Sequence, residues 1–163
     1  YHHFAKDDII KVVKKKYMVG TTNTAFSPDE GLTRAQAAVI LSRVLGLEEG
    51  SDAPLFSDTG GHWAQEQIAA VELNIMQGDP DGSFRPETVM TREEMASLLA
   101  RMIQADYTGA PAFSDVSPER WSYQEITALA GAGILSGFGD GTFRPEQTLT
   151  RGEMASLLER INP

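Results

Sequence analysis

Three arginines stand where a helix disfavours them. Arg34, Arg92 and Arg151 follow a threonine in Thr33-Arg34-Ala-Gln36, Thr91-Arg92-Glu-Glu94 and Thr150-Arg151-Gly-Glu153, spaced 58 and 59 residues apart. A threonine with Gln or Glu three residues later is a capping box: the hydroxyl takes a helix N–H and the longer side chain reaches back. Each arginine therefore opens a helix, where a positive charge opposes the macrodipole at a cost of about 0.3–1 kcal/mol. Threefold repetition of that placement implies that something negative is met there. One reading is a ligand carboxylate, taking a bidentate guanidinium contact together with free helix N–H groups, at about 1.5–3 kcal/mol per charge-assisted bond. The other is a neighbouring Glu or Asp whose pairing fixes how parts of the chain dock.

Two tryptophans offer a second chemistry. The face of Trp63 or Trp121 could cover the apolar face of a pyranose ring. A Trp opening an amphipathic helix is also a common core residue whose indole N–H finds a local acceptor. The expectation is a mostly buried ring with one exposed edge. Phe26, Phe84 and Phe143 read as core, Arg43, Arg101 and Arg160 as structural pairs on an outer helix face. Lys11, Lys14, Lys15 and Lys16 read as a solvated face, with steering of an acidic polymer as the alternative.

These residues recur because the chain repeats itself. Phe113-Ser-Asp115, Trp121, Ile126, Gly137, Asp140-Gly141-Thr-Phe143-Arg-Pro145 and Thr150-Arg151-Gly-Glu153 answer to Phe56-Ser-Asp58, Trp63, Ile68, Gly78, Asp81-Gly82-Ser-Phe84-Arg-Pro86 and Thr91-Arg92-Glu-Glu94. A worn first copy aligns to the third without a gap, through Phe4, Ile9, Gly20, Phe26-Ser-Pro28 and Thr33-Arg34-Ala-Gln36. Such periodicity is the mark of a repeat architecture. The copies divide at residues 1–46, 47–103 and 104–163. Each has a helix with apolar spacing such as Met95, Leu98, Leu99 and Met102 behind the capping box. An earlier helix carries Ile9 and Val12, Ile68 and Val71, or Ile126 and Leu129. That helix is expected to end at Gly20, Gly78 or Gly137 in the left-handed conformation, followed by a loop with an Asp-Gly turn. The fold class is mainly α: three helix-loop-helix repeats. Neither helix can bury its face alone, so a pseudo-threefold bundle with grooves between copies is the simplest packing, and a linear stack satisfies the same pattern.

Composition narrows the function classes. Of 163 residues 41% are hydrophobic, and no run reaches the roughly 18 apolar residues of a membrane span. There are no cysteines, which excludes disulfides and thiolate metal sites. The net charge is −9; it divides as +3 before residue 47 and −12 after it, against the basic footprint that nucleic acid requires. Asp79-Pro-Asp81-Gly82 lacks EF-hand spacing, and His2, His3 and His62 lack metal-ligand spacing. No nucleophile motif, phosphate loop or paired-carboxylate site is found. The expectation is a non-enzyme with no metal and no cofactor.

The order Phe-x-Asp, Trp, Gly, Asp-Gly-x-Phe-x-Pro, Thr-Arg-x-Glu resembles the S-layer homology repeat, found in threes, over essentially the whole chain. The resemblance implies one helix of each copy in a central bundle. It implies non-covalent anchoring to the bacterial cell wall by binding an anionic secondary polysaccharide with a pyruvate ketal on its terminal sugar. It places Arg34, Arg92 and Arg151 as ligand-binding arginines and Trp63, Trp121 and Phe4 at the aromatic position. Gly20, Gly78 and Gly137 become groove-lining glycines, and Asp58 and Asp115 the leading Asp. A protein-interaction or self-assembly module, or direct peptidoglycan binding, is the alternative. Asn23-Thr24 replaces the Asp-Gly turn and Gln36 the motif Glu, so the first copy is expected to form a weaker or altered groove. Only three residues precede Phe4, so the natural protein is expected to continue upstream with a Phe-x-Asp segment and then cargo or a signal peptide, and a covalently continuous cargo domain is expected in the full protein.

Overall fold

A computed structural model describes residues 4–20, 25–47, 56–72, 75–106 and 113–161. The Asn23-Thr24 turn and His2-His3 lie outside the described residues. Among the described residues six helices follow one another: α1 (Lys6–Lys14), α2 (Arg34–Leu45), α3 (Gln65–Glu72), α4 (Arg92–Met102), α5 (Tyr123–Gly131) and α6 (Arg151–Ile161). The fold is mainly α, and among the described residues the only β pairing is three isolated bridges.

The capping boxes form as the sequence requires. Thr33 accepts from Gln36 N and Thr91 from Glu94 N, and each long side chain returns to the threonine N–H. Thr150 and Glu153 exchange the same pair of bonds at 3.1 and 2.9 Å. Helices α2, α4 and α6 are largely buried, whereas α1 and α3 bury only Ile9 with Val12 and Ile68 with Val71. The apolar residues of all six helices join one continuous cluster.

The helices pair across copies, not within them. α2 packs on α3, α4 on α5, and α6 returns to pack on α1. The last contact closes a ring and excludes the linear stack. Backbone bonds close it again at its centre: Met90 N–H donates to Leu32 O at 2.8 Å, Leu149 N–H to Met90 O at 2.8 Å, and Leu32 N–H to Leu149 O at 3.0 Å. The three bridges, Gly31 with Thr150, Thr33 with Val89 and Thr91 with Thr148, join the same three segments in the same order.

The inner helices are also capped from outside their own copy. The first four N–H groups of a helix lack internal partners. Arg34 and Ala35 donate to Thr88 O and Pro86 O, Arg92 and Glu93 to Gln147 O and Pro145 O, and Arg151 and Gly152 to Glu30 O and Pro28 O. Each inner helix thus starts against the loop of the next copy around the ring.

The glycines correct one expectation. α1 ends at Lys14, α3 at Glu72 and α5 at Gly131, all well before Gly20, Gly78 and Gly137. The left-handed turn after α1 falls on Lys16 (φ 64°), and the one after α5 on Gly133 (φ 77°). Gly78 and Gly137 serve close approach instead. A Cβ would stand 2.2 Å from the Phe56 ring at Gly78 and 2.4 Å from the Phe113 ring at Gly137. Spacing located the glycines but could not separate a dihedral requirement from a steric one.

Removing residues 104–163 strips α5 from α4 and α6 from α1, and breaks two of the three central bonds. The remainder is expected to lose its sharp near-UV circular dichroism and its cooperative melt and to scatter light. A monomeric remainder that melts cooperatively would contradict the closed ring.

Candidate functional site

The three motif arginines are buried, with 8%, 7% and 5% of their surface exposed at Arg34, Arg92 and Arg151. Each reaches into the loop of the next copy. Arg34 Nε donates to Phe84 O at 2.7 Å and its Nη2 to Gln77 O at 3.0 Å. Arg92 Nε donates to Phe143 O at 2.9 Å and its Nη1 to Glu153. Arg151 Nε donates to Phe26 O at 3.0 Å and its Nη2 to Val19 O. Each guanidinium also lies over a phenylalanine ring, 4.6 Å from Phe84, 4.5 Å from Phe143 and 4.7 Å from Phe26, a favourable cation–π arrangement. Burial acts to lower all three arginine pKa values, and a guanidinium stays charged in a protein. The partial negative charge that offsets the helix dipole is thus supplied chiefly by loop carbonyls. Only Arg92 adds a carboxylate, Glu153.

The loops present those carbonyls because of a strained turn. Ser27, Arg85 and Arg144 take φ of 57°, 58° and 59°, a conformation costly without glycine. Each follows the core phenylalanine; Phe84 and Phe143 are fully buried and Phe26 partly so. Asp58 braces two successive N–H groups, Phe84 and Arg85, at 2.8 Å each. Asp115 does the same for Phe143 and Arg144 at 2.8 Å. Burial acts to raise the Asp58 carboxyl pKa, but the donors Phe84 and Arg85 overcome it and hold the group below its ordinary 3.8. Both aspartates lie outside the three grooves described next. The acids of the Asp-Gly turns are engaged locally: Asp81 and Asp140 accept from Ser83 and Thr142, and Asp79 pairs with Arg85.

Three grooves open at the junctions, and each draws on all three copies. The first is floored by Met18-Val19-Gly20 and α2, with Arg151 arriving from α6 and Trp63 from the turn before α3. The second repeats it with Ile75-Met76-Gln77, α4, Arg34 and Trp121. The third uses Leu135-Ser136-Gly137, α6, Arg92 and Phe4. Their volumes are about 160, 200 and 420 Å³. Gly20 and Gly137 line their grooves; Gly78 does not line its own and lies under Phe56.

The tryptophans depart from expectation. Trp63 is 64% exposed and Trp121 59%, so they are not core residues with one free edge, and Phe4 at the matching position is 72% exposed. Their flanking residues hold the turn instead. Arg120 grips Glu93 of α4 at 2.7 and 2.8 Å, and Ser122 donates to the same carboxylate at 2.7 Å, fixing Trp121 between them. The Arg120 bond holds the Glu93 pKa down, and Glu93 in turn raises that of Arg120. At Trp63 the corresponding anchor is His62, 2.6 Å from Glu87.

The trailing arginines depart as well. Arg43, Arg101 and Arg160 are exposed and line the first, second and third grooves; they do not stand on an outer face. Among the described residues none of them pairs with a carboxylate. Arg101 donates to Ser97 O at 3.4 Å and Arg160 to Ile134 O at 3.0 Å. Their recurrence nine residues after each motif arginine was the available signal. Of the four lysines, Lys15 is not merely solvated: it reaches Glu159 of α6 at 3.0 Å and tightens the α1–α6 closure.

Comparison with known proteins identifies the family. The family model described as the S-layer homology domain matches residues 2–38, 55–96 and 112–155. An S-layer protein, sap, of Bacillus anthracis is 34% identical over 98% of this chain, which spans 20% of that relative. A cellulosome-anchoring protein of Acetivibrio thermocellus is 31% identical over 88% of the chain, which spans 35% of it. An endoglucanase of a Bacillus species is 31% identical over 91% of the chain, with 16% of that relative covered.

Two outcomes are expected of the latch. Arg34→Ala leaves two loop carbonyls without their donor and should lower stability by about 3 kcal/mol in urea titration. Arg34→Lys should recover only part of it, because a point charge cannot serve both oxygens as a fork does; an unchanged midpoint for Arg34→Ala would remove the interlock. The folded Asp58 pKa is depressed, so its contribution is full above the ordinary 3.8 and fades as pH falls through the folded value. The stability gap between wild type and Asp58→Asn should therefore shrink in acid, measured by thermal melts down the pH scale.

Proposed function

The chain belongs to the S-layer homology domain family and is a cell-surface anchoring module, and from that premise we propose that it binds an anionic secondary polysaccharide of the bacterial cell wall in its inter-copy grooves. The observation that supports this reading is the composition of each groove. An exposed aromatic face and an exposed arginine from different copies line each groove together with a buried arginine. A pyranose ring carrying a pyruvate ketal has the matching parts: an apolar face for the aromatic ring and a carboxylate for the guanidinium. The carboxylate is the feature that selects such a sugar over a neutral one.

In this reading Trp63, Trp121 and Phe4 are stacking faces, Gly20 and Gly137 let a ligand approach the groove backbone, and Gly78 acts by letting Phe56 pack against the loop. Arg34, Arg92 and Arg151 supply positive potential from the groove wall while fixing the loop, and Asp58 and Asp115 act by bracing that loop. The copies divide at residues 1–46, 47–103 and 104–163, together forming one structural domain. In this reading the chain is a binding unit without catalysis. The net charge of −9 does not oppose the reading, because a few cations focused in a groove set the local potential.

Purified sacculi should bind the chain before, and not after, acid removal of the secondary polysaccharide. Trp63→Ala and Trp121→Ala should weaken retention on intact sacculi, on the order of tenfold for a groove in use, with unchanged melting temperature because both rings are mostly exposed. Full retention on stripped sacculi would refute the reading in favour of direct peptidoglycan binding.

A further inference from the structure

The three grooves share one plan but not one charge. The first carries Arg43 and Arg151 and, among the described residues, no carboxylate; the motif position on α2 is Gln36. The second carries Arg34 and Arg101 with Glu94. The third carries Arg92 and Arg160 with Glu153 and Asp29, and Glu153 already holds Arg92 in an ion pair. Formal lining charge therefore falls from +2 to +1 to 0 around the ring.

The geometry points to the first groove as the primary anion site, with Gln36 as the residue that determines it. This rests on the carbohydrate reading above and adds which groove is used and why. A carboxylate facing an incoming carboxylate repels it at contact range and competes for the same guanidinium. Gln36 keeps the structural duty of the motif glutamate, since its Oε1 accepts from Thr33 N at 3.0 Å as Glu94 and Glu153 do from Thr91 and Thr150. What it omits is the charge. The motif departure in the first copy thus strengthens its groove for an anion. Glu30 acts on Arg151 at longer range but does not line the groove. The third groove is the largest, yet volume measures room for apolar contact and its charge is already balanced.

The same side-chain exchange supplies the test, because both residues complete a capping box in this chain. The probe is a methyl hexopyranoside bearing a pyruvate ketal, with its methyl ester as the uncharged control, titrated by calorimetry. Gln36→Glu is expected to weaken binding of the acid about tenfold at unchanged melting temperature, and Arg43→Ala to weaken it at least as much. Glu94→Gln is expected to strengthen binding at the second groove, read as a higher stoichiometry of tight sites. Acid-selective binding that ignores Gln36→Glu and Arg43→Ala but responds to Glu94→Gln or Glu153→Gln overturns the groove assignment and leaves the carbohydrate reading standing. Equal affinity for acid and ester, or no saturable binding of either, overturns the anion reading itself.

Discussion

Leu32, Met90 and Leu149 pass one hydrogen bond each around a closed circuit of three backbone segments. Such a circuit can be completed only when all three copies are present, because every donor is in one copy and its acceptor in another. Donation runs the opposite way round at the helix starts, where each inner helix finds its capping carbonyls in the loop of the next copy. Buried backbone groups are costly to leave unpaired, so satisfying the first copy requires the second, and satisfying the third requires the first. The helix pairing α2–α3, α4–α5 and α6–α1 follows this cyclic order. The copies are therefore units of sequence more than units of stability.

The grooves are consequences of that circuit. A loop pulled against the start of the preceding copy's helix leaves a channel beside the helix of its own copy, and the next copy's aromatic turn covers the end. The buried arginine sits at this junction with two tasks that conflict in the sequence and agree in space. It is poor as a helix opener, and good as a donor to loop carbonyls that only the neighbour can supply. Stacking on Phe84, Phe143 or Phe26 keeps it in place, and the positive φ at Arg85, Arg144 and Ser27 turns those carbonyls toward it. Asp58 and Asp115 hold the strained turn in the second and third copies.

Exposure of the tryptophans follows the same logic. Trp121 has its neighbours on both sides fastened to Glu93, so its ring is held outward without being packed inward. Each groove thus presents an exposed aromatic ring and an exposed trailing arginine beside a wall held by the bonds of the buried arginine. A rigid floor with a few exposed anchors limits the ordering cost when a ligand binds.

The capping boxes, the apolar faces of α2, α4 and α6, the threefold repetition and the mainly helical class were all legible in the sequence. Each depends on residues within about four positions of one another, or on comparing equal positions in successive copies, and local backbone physics fixes both. Ring closure, the burial of Arg34, Arg92 and Arg151, the exposure of Trp63 and Trp121 and the groove position of Arg43, Arg101 and Arg160 were decided by tertiary structure alone. So was the role of Gly78 and Gly137, which sequence spacing assigned to helix ends and the rings of Phe56 and Phe113 claim for close packing. In every such case the deciding partner lies roughly 20 to more than 100 residues away, in another copy or across a loop. Helical periodicity says which face of a helix is apolar; it says nothing of which carbonyl, ring or carboxylate will be waiting there.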